Sequence, residues 1–256
     1  LGDRLADGSY VTALIKSSSY GQSFYNINNI IVTGNHKILY DERLIPVNQH
    51  PDSIELPDYY TEYVYCINTT SKKICINGLI FSDWDDLDDY DMFELKIKTL
   101  KDLTTPITPN TVHKFLDGGF DKDTLIELED GRSVKISDIC VNDVLRFGEN
   151  VLAIVKIDGV GLSNVKHFKV NNNNFIGGPN LLYLSDDMGI KKTVKLNEMK
   201  KDCNALSKCE QPEILYHLIT DKSTFYINGV CFYDYNGCIE YFLDSDNKDL
   251  FQKIIF

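Results

Sequence analysis

The sequence predicts a mainly β fold in which one module occurs twice in tandem. Three observations predict it. Residues 63–84 (YVYCINTTSKKICINGLIFSDW) and 214–235 (ILYHLITDKSTFYINGVCFYDY) align without a gap and agree at 7 of 22 positions. Short runs rich in Val, Ile, Leu, Phe and Tyr alternate with turn pairs such as Asn77-Gly78, Asp158-Gly159 and Asn228-Gly229. Such pairs supply the positive φ that tight hairpins need. Helical periodicity is confined to a few short stretches.

The repeat extends beyond the first pair of segments. Residues 28–40 (NNIIVTGNHKILY) lie over 171–183 (NNNNFIGGPNLLY), with Gly34/Gly177, Leu39/Leu182 and Tyr40/Tyr183 coinciding. Residues 1–5 (LGDRL) lie over 141–145 (VNDVL). The three matches keep their order along the chain, at offsets of 140, 143 and 151. A repeat of this length is one structural unit used twice. The expected organisation is a first module over residues 1–92, a linker and short helix over 93–118, a second module over 119–240 and a tail over 241–256. The second copy opens with residues 119–140, which have no counterpart in the first copy. The native start is therefore expected upstream of Leu1, and the first module is expected to be completed from outside the 256 residues.

Strands are expected at 124–128, 134–136, 151–157, 181–184, 214–219 and 224–227. Residues 110–115 read as a short helix, with Asn110 or Thr111 at the N-cap and Gly118 as the stop. Residues 196–208 have mixed helical character. Residues 248–255 place Leu250, Phe251, Ile254 and Ile255 on one helical face. The stretch 102–110 (DLTTPITPN) reads as linker, because two prolines and three threonines disfavour regular structure.

Composition bounds the function. The chain of 256 residues carries 26 Lys+Arg and 38 Asp+Glu, a net charge of −12, with 43% hydrophobic residues. That supports one or two buried cores. Phosphate backbones are bound by clustered cations, so the acidic balance argues against a nucleic-acid partner and against a charged membrane surface. No apolar run reaches the roughly 20 residues of a spanning helix. Seven cysteines, Cys66, Cys75, Cys140, Cys203, Cys209, Cys231 and Cys238, make an odd set without CxxC spacing. They read as buried, reduced thiols in a reducing compartment. The sequon at Asn68 stands alone as a sign of secretion and reads as chance.

The opening of the second module, GFDKDTLIELEDG followed by Val134–Ile139 and Asn142-Asp143-Val144, resembles the first block of the Hint (Hedgehog/intein) superfamily. Val32-Thr33-Gly34-Asn35-His36 resembles its Thr-x-x-His block. Residues 64–83 and 215–234 resemble its last two blocks. The blocks keep the family order and cover most of residues 1–84 and 119–238. The tandem layout, and the stretch His113-Lys114-Phe115-Leu116-Asp117-Gly118-Gly119, are similar to Hint-type proteins of large DNA viruses and unicellular algae.

The resemblance implies a definite chemistry. A Cys or Ser at the first position attacks the preceding carbonyl, a His protonates the departing nitrogen, and a Thr holds the scissile amide. In the second module the three positions are Gly119, Ile176 and Pro179, and Phe232–Tyr235 replace the terminal His-Asn-Cys. That module is expected to be inert, with His217 as a remaining equivalent. In the first module Thr33 and His36 keep the spacing, and Cys66 stands where His217 stands in the second. Ser82-Asp83-Trp84 replaces the terminal His-Asn-Cys, so release by Asn cyclisation is unavailable. Thr33, His36 and Cys66 are thus candidate catalytic residues only if the first module is active; otherwise they serve packing or a turn.

Residues 83–91 hold six aspartates in nine residues. They read as a solvated exit segment rather than a Ca²⁺ loop, which would need a glycine and a closing glutamate. Trp84 aligns with Tyr235, and both read as aromatic rings packed at a module exit. His50 and His167 read as surface or satisfied histidines. The resulting expectation is a catalytically degenerate intein-like scaffold, without cofactor or metal, in a larger assembly such as a virion or in the cytoplasm. Its partners would be its own upstream segment or adjacent protein chains. The alternative is a self-cleaving Hint domain whose first module processes its own precursor by an N-to-S or N-to-O acyl shift.

Overall fold

The computed structural model describes residues 1–87, 113, 114, 116–162, 165–178, 180–187, 190–196, 199, 203–205 and 211–244. The fold is mainly β, with antiparallel pairing throughout the described sheets. The N-terminal half contributes β1 (Val11–Ser18), β2 (Phe24–Ile27), β3 (Ile30–Thr33), β4 (Lys37–Tyr40), β5 (Arg43–Pro46), β6 (Ile54–Glu55), β7 (Tyr63–Thr69), β8 (Lys73–Ile76) and β9 (Leu79–Ser82). The C-terminal half begins with β10 (Phe120–Asp121), β11 (Leu125–Glu127), β12 (Ser133–Lys135) and β13 (Val151–Asp158). It continues with β14 (Lys166–Val170), β15 (Asn173–Gly177), β16 (Leu182–Asp187), β17 (Ile190–Lys195) and β18 (Cys203–Ala205). It ends with β19 (Ile214–Thr220), β20 (Thr224–Ile227), β21 (Val230–Tyr233) and the helix α1 (Tyr235–Asp244).

One eight-stranded sheet runs through both halves in the order β18-β14-β15-β10-β19-β13-β1-β7. The halves join where β1 pairs with β13, with Ile15 opposite Val155, Ala13 opposite Ile157 and Ser17 opposite Ala153. Val155 is the counterpart of Ile15 at the sequence offset of 140. The strand therefore meets its own counterpart across a local dyad. On either side, β7 and β19 flank in one common register, Ala13 opposite Asn68 and Ala153 opposite Ile219. The same bulge interrupts both ladders, between Val11 and Ala13 and between Val151 and Ala153.

Local geometry follows the same correspondence. The β8–β9 and β20–β21 hairpins turn at Asn77-Gly78 (φ 50° and 81°) and Asn228-Gly229 (φ 48° and 77°). The β2–β3 and β14–β15 hairpins turn at Asn28-Asn29 and Asn171-Asn172, all with positive φ. Asn and Gly fit here because they enter the left-handed region at least cost. In each half an early loop returns a backbone bond of 2.8 Å to the first long strand, Gly2 N–H to Val11 and Asn142 N–H to Val151. One match slips. Ile38 lies opposite Phe81, whereas Tyr183, not Leu181, lies opposite Phe232. The slip is two residues, the period of a strand, so the buried face is unchanged.

The largest difference between the halves is at the opening block of the second. β10 sits between β15 and β19 and welds the β14–β15 hairpin into the large sheet. Nothing described joins β3 to β7, so β3, β2 and β6 form a separate three-stranded sheet. The cores differ accordingly. The C-terminal half buries Phe120, Ile126, Leu128 and Ile136 of its opening block among Phe168, Phe175, Phe225 and Phe232. The N-terminal half buries only Ile27, Ile38, Val47 and Phe81 in its own cluster. A third cluster, including Ala13, Ile15, Val155, Leu215 and Tyr235, lies between the halves.

Several expectations need correction. Residues 203–205 of the segment read as partly helical form a strand, because Cys203 pairs with Phe168 of β14 and long-range pairing overrides local propensity. α1 was not anticipated. Asp234 caps it, its Oδ1 accepting from Gly237 N–H at 2.7 Å. Of the residues expected in a short helix before Gly118, His113 and Lys114 are helical, as is Leu116. Residues 88–112, including most of the linker and the end of the aspartate run, and the expected helix at 248–255 lie outside the described residues, as does Pro179.

Candidate functional site

A cavity of about 880 Å³ lies at the gap between β3 and β7, lined mainly by the N-terminal half and on one side by Ser137, Ile139, Cys140, Val141, Ile154 and Lys156 of the C-terminal half. Its walls are largely apolar, with Val32, Ile67, Ile74, Ile76 and Phe81 among the lining residues. Thr33, His36 and Cys66 all line it. Thr33 ends β3, and His36 follows in the turn that His36 N–H closes onto the Thr33 carbonyl at 3.2 Å. Cys66 lies in β7, opposite Ile15. The structure therefore brings the three candidate residues to one cavity, Thr33 and His36 from the β3 side and Cys66 from β7.

Their electrostatics argue for quiet chemistry. The His36 ring tilts against Phe81 with centroids 5.8 Å apart. Burial pushes its pKa below the ordinary 6.5, with Asp86 pulling the other way. A neutral imidazole at pH 7 has no proton ready to give to a leaving amine. Burial, aided by the negative field of Asp83, pushes the Cys66 thiol up to about 12. The nucleophile in thiol chemistry is the thiolate, so Cys66 is a poor one.

In the C-terminal half the corresponding space is filled. Gly119 packs so closely that a Cβ there would lie 2.9 Å from the Tyr216 carbonyl oxygen and 3.1 Å from Leu215 Cβ. Its own carbonyl accepts from Gly178 N–H at 2.9 Å. Ile176, beside that contact, packs against the cluster between the halves. His217 is fully buried among Phe120, Phe225 and Tyr235. Burial depresses its pKa to about 3, so it stays neutral. Its Nδ1 is engaged with its own neighbour, accepting from Leu218 N–H at 3.0 Å.

A second polar site escaped sequence reasoning. Lys72 is buried, with Nζ 2.6 Å from Asp85 Oδ2 and 3.3 Å from Asp83 Oδ2. Asn68 Nδ2 donates to Asp85 Oδ1 at 2.8 Å and to the Tyr235 hydroxyl oxygen at 2.7 Å. Tyr235 O–H in turn reaches Asp117 Oδ1 at 2.8 Å. Burial opposes the Lys72 charge, yet Asp83, Asp85 and Asp117 outweigh it and hold the ammonium well above its ordinary pKa. Burial, partly offset by Lys72, raises Asp83 and pushes Asp117 up to about 7. Asp83 and Asp85 are thus interior ion-pair partners, a correction to the solvated reading of the aspartate run. The Lys72-Lys73 doublet gave no hint, because the counterpart of Lys72 is Ser223. Only Asp83/Asp234 was visible, and there the shared role is local: their Oδ2 atoms accept from Thr69 N–H and Thr220 N–H.

The remaining singled-out residues are structural. Trp84 Nε1–H donates to Asn236 Oδ1 at 3.0 Å, the dyad-related version of the Tyr235–Asp85 contact at 3.3 Å. His50 is buried, edge-on to Tyr40, its Nδ1 accepting from Asp52 N–H at 3.2 Å. His167 lies opposite Ile176 in the β14–β15 hairpin. The thiols divide, contrary to a uniformly buried set: Cys238 is buried, Cys66 and Cys231 are half-buried, and Cys75 and Cys140 are exposed. Among the described residues, no three His, Cys, Asp or Glu side chains gather so as to hold a metal ion, and no helix is long and apolar enough to cross a membrane. No protein-family model matches the chain, and no curated protein sequence matches it.

Proposed function

We propose that the chain is a tandem of two intein-like modules that have lost autoprocessing and act as a structural or interaction component of a larger assembly, such as a virus particle. The observation that carries this reading is the closure around Gly119. The position that would hold a nucleophile has no room for a Cβ, since the Tyr216 carbonyl would stand 2.9 Å away. The positions of the Thr and His are occupied by Ile176 and Pro179. In the first module the neutral His36 and the protonated Cys66 point the same way. A cleaving module in the first half is the second reading, favoured by Thr33, His36 and Cys66 lining one cavity.

The test is retention of tags. The full chain, tagged at both ends, is incubated at pH 7–8 with dithiothreitol or hydroxylamine and weighed by mass spectrometry. The expected result is one intact mass. A fragment that begins at Gly119, or release of the N-terminal tag, would overturn inertness and favour the second reading.

A further inference from the structure

We infer that the cavity of the N-terminal half is a docking slot for an extended segment of another protein chain, which adds as a strand between β3 and β7 and inserts an aromatic side chain. The C-terminal half supplies the template. There Phe120 pairs with Gly177 on one side and Tyr216 on the other. Its ring is fully buried, edge-on to Phe175, His217, Phe225 and Phe232. The counterparts of those four residues are Val32, Cys66, Ile74 and Phe81, and all four line the cavity. The apolar space therefore lies where the first half would receive the equivalent ring.

The backbone is ready for the same addition. β7 ends the eight-stranded sheet, β3 ends its three-stranded sheet, and β8 ends the sheet β5-β4-β9-β8. Among the described residues no strand pairs with their outer edges. Such edges bind extended peptides by main-chain bonds, with pockets reading alternate side chains. The template also sets the sequence preference. A glycine precedes the aromatic residue, because the corresponding position presses on the neighbouring strand. Acidic residues follow, as in Asp121, Asp123 and Glu127. Charge agrees: the lining holds Lys16 and Lys156 and no Asp or Glu, on a chain of net charge −12. The partner is thus an acidic segment of the type Gly-aromatic-Asp, followed by a β-hairpin.

The inference rests on the interaction-scaffold reading, and its test is separate. A labelled synthetic peptide with the sequence of residues 119–136 (GFDKDTLIELEDGRSVKI) is titrated into the full chain and followed by fluorescence anisotropy. Saturable binding of one peptide per chain is expected. Replacing the peptide's phenylalanine by alanine should weaken binding on the order of tenfold or more, as loss of a buried aromatic anchor does. Cys66→Trp, which obstructs the place where the equivalent of the Phe120 ring would sit, should abolish binding while circular dichroism stays that of a β protein. Absent saturation, or equal binding of the alanine peptide, overturns the slot. So does a chain that sediments as a dimer and excludes the peptide, since a second copy would then be the occupant. A cleaved tag would sink the inert-scaffold reading without changing the titration; failed binding with intact tags would sink only the slot.

Discussion

Lys72 is the residue whose loss should be felt most. Its ammonium is the cation facing Asp83, Asp85 and Asp117 in a space closed to solvent. Removing one partner of a buried pair leaves uncompensated charge, typically at a cost of about 3–5 kcal/mol. Lys72→Met should therefore lower the urea midpoint sharply, whereas Lys73→Met, on the exposed neighbour, should leave it nearly unchanged. The carboxylates add a pH dependence. The folded pKa of Asp117 is raised from 3.8 to about 7, so its contribution is full below pH 3.8 and is lost as pH rises through about 7. His113 and His217 act in the opposite sense. They are depressed from 6.5 to about 4 and about 3, so their contribution is present above pH 6.5 and fades as pH falls through those values. Urea unfolding of wild type and Asp117→Asn at pH 5 and pH 8 separates the two, and the variant should gain on wild type as pH rises. Thiol reactivity should follow the same physics. Iodoacetamide at pH 8, read by peptide mass mapping, should label exposed Cys75 and Cys140 well before Cys66 and Cys238, whose thiols are pushed up to about 12. Beyond the repeated Asp83, the Lys72 network was not legible in the sequence, because Lys72, Asp117 and Tyr235 are far apart in the chain and meet only through folding.

At the scale of elements, legibility tracks locality. The Asn-Gly hairpins were readable because the turn conformation is fixed by the two residues that make it. Gly229 at φ 77° tests this: Gly229→Ala should cost about 1–2 kcal/mol in thermal or urea unfolding, the penalty of a Cβ in the left-handed region. Asn228→Gly should cost much less. The slip of β4 against its counterpart was not readable, since Leu39-Tyr40 and Leu182-Tyr183 coincide in sequence while Ile38 and Tyr183 coincide in space. Nor was the strand at Cys203, whose partner Phe168 lies in a different hairpin. α1 had a readable signal in Asp234, three residues before Gly237, but the glycine in its first turn masked it. The candidate residues Thr33, His36 and Cys66 were singled out by the resemblance of their segments to Hint blocks and by the internal alignment, and the cavity they share followed only from the three-dimensional gap between β3 and β7.

For the whole molecule, the sheet that crosses from β7 to β18 makes the halves depend on each other. Trp84 belongs to the N-terminal half yet is tied to Asn236, and Tyr235 belongs to the C-terminal half yet is tied to Asp85. Thermal unfolding should therefore be one transition. Trp84 fluorescence, which reports the junction, and far-ultraviolet circular dichroism, which reports all strands, should give coincident midpoints; two separated transitions would show halves that fold independently. The dyad at Ile15 and Val155 reaches further than stability. A strand edge that pairs with a copy of itself is an isologous contact, the kind that closes a twofold homodimer. A symmetric dimer must carry every substitution twice. A single chain need not: Lys72 is buried in one half where Ser223 stands at the matching position of the other, an asymmetry that no dimer of identical chains can hold.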